Sequence, residues 1–175
     1  MALIKLNNQS LSAVTSAGLP SGTVLQVVQG VKSDISTLTS TSFVDIGLSA
    51  NITPSSTSSK ILVSVQLWGY SGQYVAPNRL MRDTTEIGAA PNAGNRPTTA
   101  LPFSLPPNTD GSMSVATVQI LDSPSTTSQI TYKVQSAVRA DGDQSSYINR
   151  SESDRDTSSY DPRTISYITL TEIAG

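Results

Sequence analysis

At 175 residues the chain is long enough to bury one sizeable core and fits a single domain with a short appendage. Only 14% of residues are charged and the net charge is −2, so the clustered cationic footprint that nucleic acid requires is missing. Cysteine and histidine are both absent, which removes disulfides, a thiol nucleophile, zinc–thiolate sites and the usual general base.

Hydrophobic residues make up 37%, while Ser and Thr together supply about 28%. Such a surface is solvated by small neutral groups. Low net charge and recurring Val/Ile/Leu runs argue against a disordered chain. No stretch reaches the ~18–20 apolar residues of a membrane span. The opening "MALIKLNNQSLSAVTSAG" lacks the apolar run of a secretory leader, so synthesis and use without Sec export, and no membrane insertion, are expected. The N-x-S/T triplets at Asn8, Asn51 and Asn149 are at the level chance supplies in so Ser/Thr-rich a chain.

In chain order, residues 1–20 come first. Leu3, Ile4, Leu6, Leu11 and Val14 stand among amides in a nearly uncharged segment, followed by Leu19-Pro20. An apolar extension with no core of its own is expected to be an arm docking onto a partner, by strand addition to an exposed edge. The alternative is a disordered terminus. Residues 21–175 are expected to form the domain.

Helical periodicity is nearly absent from that domain and strand alternation is abundant. "TVLQVVQ" (23–29) is apolar on both faces. "SFVDIGL" puts Val44, Ile46 and Leu48 on one face. "KILVSVQLWGY" turns Ile61, Val63, Val65 and Leu67 inward, with Leu62, Ser64, Gln66 and Trp68 opposite. "NRLMRDTTEIG" (78–88) reads as one weaker strand. "MSVATVQIL" sets Val115 and Thr117 against Ala116, Val118 and Ile120. "QITYKVQSAV" holds Ile130, Tyr132, Val134 and Val138 in phase. "SSYINR" is a short strand, and "TISYITLTEI" sets Ile165, Tyr167 and Ile173 against Ile168 and Leu170. Turn clusters at 53–59, 90–112, 122–128 and 140–143 punctuate the strands. The Pro-rich connection at 90–112 cannot be central sheet, because Pro donates no ladder hydrogen bond. Strands so spaced predict an all-β antiparallel sandwich or barrel.

Two groups of residues compete for chemistry. Asp141 and Asp143 in "ADGDQSS", with Glu152, Asp154 and Asp156 in "SESDRD", offer oxygen ligands to a hard cation. Neither segment completes the calcium-loop pattern, and Arg150, Arg155 and Arg163 interleave with the acids. Solvated loops are therefore expected, with pairing to these arginines as the alternative to a cation, and no metal or cofactor. Trp68, Tyr70 and Tyr74 cluster after a strand, and Tyr147 and Tyr160 flank the acidic loop. Such rings suit core or subunit packing first, and where exposed they suit another protein or a host-surface glycan. Carboxylate pairs exist, yet no internal repeat of the kind seen in long β-helical depolymerases is present, so no enzymatic activity is expected.

The segments "TSFVDIGLSANITPSSTSSKILVSVQ", "LDSPSTTSQITYKVQ", "YINRSESD" and "SYITLTEIAG", in that order, resemble small virion proteins and tail-fibre C-terminal domains of marine tailed bacteriophages. The opening segment resembles the start of phage structural proteins. The resemblance implies a C1q/TNF-like jelly roll that forms a homotrimer on a virion assembled in the host cytoplasm. It implies attachment to another virion protein through the arm and threefold contacts at Tyr167, Ile168, Leu170 and Ile173 of a centrally placed closing strand. Trp68, Tyr70, Tyr74, Tyr147 and Tyr160 would be host-facing. The expected role is a tail-fibre or adhesin component contacting the host surface, with capsid decoration at local threefold positions as the alternative.

Overall fold

A computed structural model describes residues 19–71, 75–96, 98–104, 111–138 and 145–175. The arm positions Leu3, Ile4, Leu6, Leu11 and Val14, together with Tyr74, Asp141 and Asp143, lie outside the described residues. Among the described residues there are strands and no helix: β1 (Val24–Lys32), β2 (Ser36–Leu38), β3 (Val44–Ile52), β4 (Lys60–Ser71), β5 (Val75–Ala76), β6 (Asn78–Arg82), β7 (Thr85–Ile87), β8 (Phe103–Ser104), β9 (Ser114–Asp122), β10 (Ile130–Ser136), β11 (Ser146–Ile148) and β12 (Ser166–Ile173).

Every pairing is antiparallel. One sheet runs β1-β12-β4-β11-β2, with β9 on the other side of β4, and the second runs β3-β10-β6-β7. The principal pairings are nested: β1 with β12, β3 with β10, β4 with β9, and β6 with β7. The closing strand is therefore interior to its sheet, flanked by β1 and β4.

Alternation built the core as the sequence predicts. Ile61, Val63, Val65 and Leu67 of β4 turn inward with Ile168 and Leu170 of β12, against Ile46, Leu48 and Ile52 of β3, Leu80 of β6 and Tyr132 and Val134 of β10. Burying each such side chain contributes roughly 1.5–3 kcal/mol. Val44, at the start of β3, stays exposed. Two glycines are required by geometry. A Cβ on Gly30 would lie 1.9 Å from the Ser49 carbonyl oxygen, where β1 crosses against β3. Gly47 takes φ +82° where the β3–β10 register shifts.

Two local expectations are corrected. Residues 78–88 form a hairpin rather than one strand, turning at Asp83 (φ +51°). The Asp83 carboxylate there accepts the Thr131 N–H at 2.9 Å, and the Asp83 N–H donates to the Thr131 carbonyl at 2.8 Å. The described part of the Pro-rich connection stays out of both main sheets, as expected, yet it contributes to the fold: Leu101 is fully buried, β8 pairs with β5, and buried Asn78 donates to the Ala76 and Leu101 carbonyls. Ile168 and Leu170, expected on a threefold contact, face the chain's own interior and are fully buried, because the even positions of β12 point into the sandwich.

Candidate association surface

Along the larger sheet, the strand register defines an outward face in cross-strand rows. Val27, Thr171, Leu62 and Leu121 form one row; Gln29, Thr169, Ser64 and Gln119 the next; Val31, Tyr167, Gln66 and Thr117 the third. Trp68 and Val115 continue it. The middle row is a neutral ladder: Gln29 Nε2 donates to Thr169 Oγ1 at 3.0 Å, and Gln119 Nε2 to Ser64 Oγ at 3.1 Å. Tyr167 donates its hydroxyl to Gln66 Oε1. Lys60, the first residue of β4, is the sole charged side chain on these outward strand positions, and it donates to Ser123 Oγ at 2.8 Å.

Large apolar side chains are left open here. Val27 is 59% exposed, Val31 53%, Leu121 57% and Val115 43%. Of the residues expected at a threefold contact, Tyr167 and Ile173 lie on this face. Val27 and Val31 join them from β1. The sequence reading singled out neither: "TVLQVVQ" is apolar on each face around Val27, so periodicity alone cannot say which face is covered, and Val31 lies beyond that segment.

Behind the face sits a carboxylate that the sequence did not single out. Glu172 is fully buried on the inner side of β12. Its Oε1 accepts the Ser55 N–H and Oγ–H, each at 2.7 Å, and its Oε2 accepts Gln26 Nε2 at 2.5 Å. Burial alone would push this carboxyl up; the hydrogen bonds from Gln26 and Ser55 outweigh it and hold the group below its ordinary value. Glu172 thereby clasps the 53–59 turn and β1 to the closing strand.

The far end of the sheet carries the charged loop. Asp154 takes Arg163 at 2.7 and 2.8 Å and Arg150 at 3.0 Å. The Arg163 hydrogen bonds are the main cause of its lowered pKa, with Arg150 adding to them. Asp161 accepts Arg155 Nε at 2.6 Å and Ser151 Oγ–H at 2.5 Å, and Arg155 chiefly holds it low. With their carboxylates occupied by guanidinium groups, these acids form a braced loop, and among the described residues no group of three or more His, Cys, Asp or Glu is placed to hold a metal. Glu152 lies exposed in the same loop. Buried Asn149 (φ +62°) anchors its start, donating to the Lys32 and Asp34 carbonyls at 2.8 and 2.9 Å and accepting Ser166 Oγ–H at 2.6 Å.

The expected host-facing aromatics separate. Tyr160 is 62% exposed, with the Arg155 guanidinium 5.0 Å from its ring centroid. Tyr147 is half-buried beneath Arg150, and Trp68 is half-buried on the outward face. Tyr70 is only 4% exposed, its ring centroid 6.2 Å from that of Tyr147, so it is a packing residue rather than a presented one.

Fold and surface together define the class: an all-β protein of antiparallel sheets packed as a curled sandwich, with one outer face charged only at its Lys60 margin. No protein-family model matches the chain, and no curated protein matches it in sequence.

Proposed function

We propose that the chain is a non-enzymatic structural protein that works as a homotrimer in a tailed-phage virion. The observation that carries the reading is the outward face of β1, β12, β4 and β9, where exposed valines and neutral hydroxyls and amides stand with a charge only at its margin. An exposed apolar patch bordered by polar groups marks an interaction surface. The nested pairings support a jelly-roll reading of the sandwich, and the interior position of β12 supports a C1q/TNF-like arrangement in which Tyr167 and Ile173, with Val27 and Val31, meet their counterparts around a threefold axis.

The polarity of the domain supports a tail-fibre or adhesin role. Leu19 and Ala174 share one end, tied by the Gly22 N–H to the Ala174 carbonyl at 2.8 Å. The braced loop with Tyr160 stands at the other, about 27 Å away along an eight-residue strand. An arm at the first end would reach another virion protein while the second faced a host surface or its glycans. Capsid decoration at local threefold positions is the second reading, favoured by the open edge of β9 described below.

Sedimentation of the pure chain tests the association: three copies or a multiple of three are expected, and a stable single chain at micromolar concentration overturns it. Labelled antibody on intact particles tests the placement. Label along the tail supports the adhesin, label over the shell supports decoration, and unlabelled particles overturn both.

A further inference from the structure

We propose that β9 is a self-pairing edge: two copies of the chain join antiparallel along β9 about a twofold axis at Val118, extending the larger sheet across the pair. Sheet edges are normally blunted by shortness, bulges, charges or cover, because an open row of N–H and C=O groups templates further pairing. The other described edges of the two sheets follow that rule. Strands β2 and β7 are three residues long. Strand β3 carries Asp45 and a register shift around Gly47. Strand β1 has a register shift near Val24 and is pressed against β3 at Gly30.

Among the described residues, and although the two-residue β8 comes near it, strand β9 is blunted neither by shortness nor by a bulge. It runs nine residues in unbroken register with β4, from Ser114 opposite Gly69 to Asp122 opposite Ile61. It holds no Pro, Gly or Lys, and no charge before Asp122. Among the described residues it pairs with β4 alone. Val118 and Ile120 pack against the core yet stay only half-buried, as expected of inner positions beside an open edge.

The occupant follows from the strand's own order, "SVATVQILD". Antiparallel pairing about Val118 sets Val115 opposite Leu121, Ala116 opposite Ile120, Thr117 opposite Gln119 and Val118 opposite itself. Apolar meets apolar and polar meets polar at every one of these positions, with no like charges opposed. The two exposed large apolar side chains of β9 cover each other. A one-residue slip would put inner residues on the outer face, so the pattern also fixes the register. A second copy fits this edge as a self-complementary, isologous contact.

The edge contact is separate from the threefold contact proposed above, which uses the β1 and β12 margin on the opposite side of the sheet. With both contacts, the wild type assembles to six copies or more. Thr117→Lys with Gln119→Lys, both exposed positions, places ammonium groups opposite each other and should cut the assembled mass by half or more. Thr117→Lys with Gln119→Glu places opposite charges there and should restore it. The chain has no native cysteine, so Val115→Cys and Leu121→Cys chains, mixed and oxidised, should form a disulfide-linked pair that neither forms alone, since directly opposed Cα atoms are roughly 4.5–5.5 Å apart. Unchanged mass in the double-lysine variant, or no mixed cross-link, overturns the edge pairing. A wild type of two copies that falls to one in the double-lysine variant upholds the edge and removes the threefold contact instead.

Discussion

The outer faces of the two sheets differ in chemistry although they enclose one core. On the smaller sheet, Asp45 pairs with Lys133 at 2.8 Å and Arg79 with Glu86 at 3.1 Å, and the Arg79 guanidinium lies 3.7 Å over the Phe43 ring. On the larger sheet, the corresponding positions hold Val, Thr, Ser, Gln and Tyr, with Lys60 at one margin. A charged, internally paired face is costly to cover, since a partner must desolvate its ions. A neutral face with open valines is cheap to cover. The contrast supports the proposed association through the larger sheet rather than the smaller.

Charging both faces alike is the strongest way to break this comparison. Val27→Glu with Val31→Glu should abolish threefold association, read as a threefold drop in sedimenting mass or, with the edge contact intact, a fall from six copies or more to two. Ser49→Glu with Asn51→Glu on the smaller sheet should leave the mass unchanged. Equal losses from the two pairs would erase the distinction.

Next in size is the contrast across one strand. Leu170→Ala should cost about 2–5 kcal/mol in denaturant unfolding, because it opens a cavity in the core. Its outward neighbour Thr171→Ala should stay within about 0.5 kcal/mol at matched protein concentration.

Glu172→Ala should cost on the order of 1–3 kcal/mol by stranding the Ser55 N–H and the Gln26 amide. The Glu172 carboxyl is held below its ordinary value of 4.5 in the folded chain. Its stabilisation is therefore complete above the unfolded value and is lost as pH falls through the lower folded one. The gap between wild type and Glu172→Gln should be constant at neutral pH and close in acid.

The smallest effect belongs to Lys133→Ala, about 0.2–1 kcal/mol and largely removed by 1 M salt, since its partner Asp45 is well exposed. Association through the larger sheet should hold its mass over the same salt range. A strongly salt-sensitive assembly would argue for contacts elsewhere.

Strands whose alternation is clean were legible from the chain. The inward set of β4, the phase of Ile130, Tyr132 and Val134, and the opposition of Tyr167 to Ile168 all follow from a period of two. The Asp83 hairpin was not legible, because its turn lacks the Asn-Gly or Asp-Gly signal and relies on a contact from Thr131, distant in sequence. Glu172 was hidden by its charge. A carboxylate at an inward position reads as surface until Ser55 and Gln26 are seen to converge on it. Asn149 was hidden likewise: it matches a glycosylation triplet, yet its amide is spent on two backbone carbonyls inside the fold.

By itself the sequence determined an all-β chain with inward and outward sides on its longer strands, because side-chain alternation along a strand is local. It also placed arginines within reach of the acids of the 150–163 loop, where Asp154 pairs with Arg150 and Arg163 while Glu152 stays exposed. Only the tertiary structure decided which outward sides share a face, which edge is left open, and where the buried Glu172 finds its donors. Each of those depends on register between strands far apart in the chain, and no local pattern carries that information.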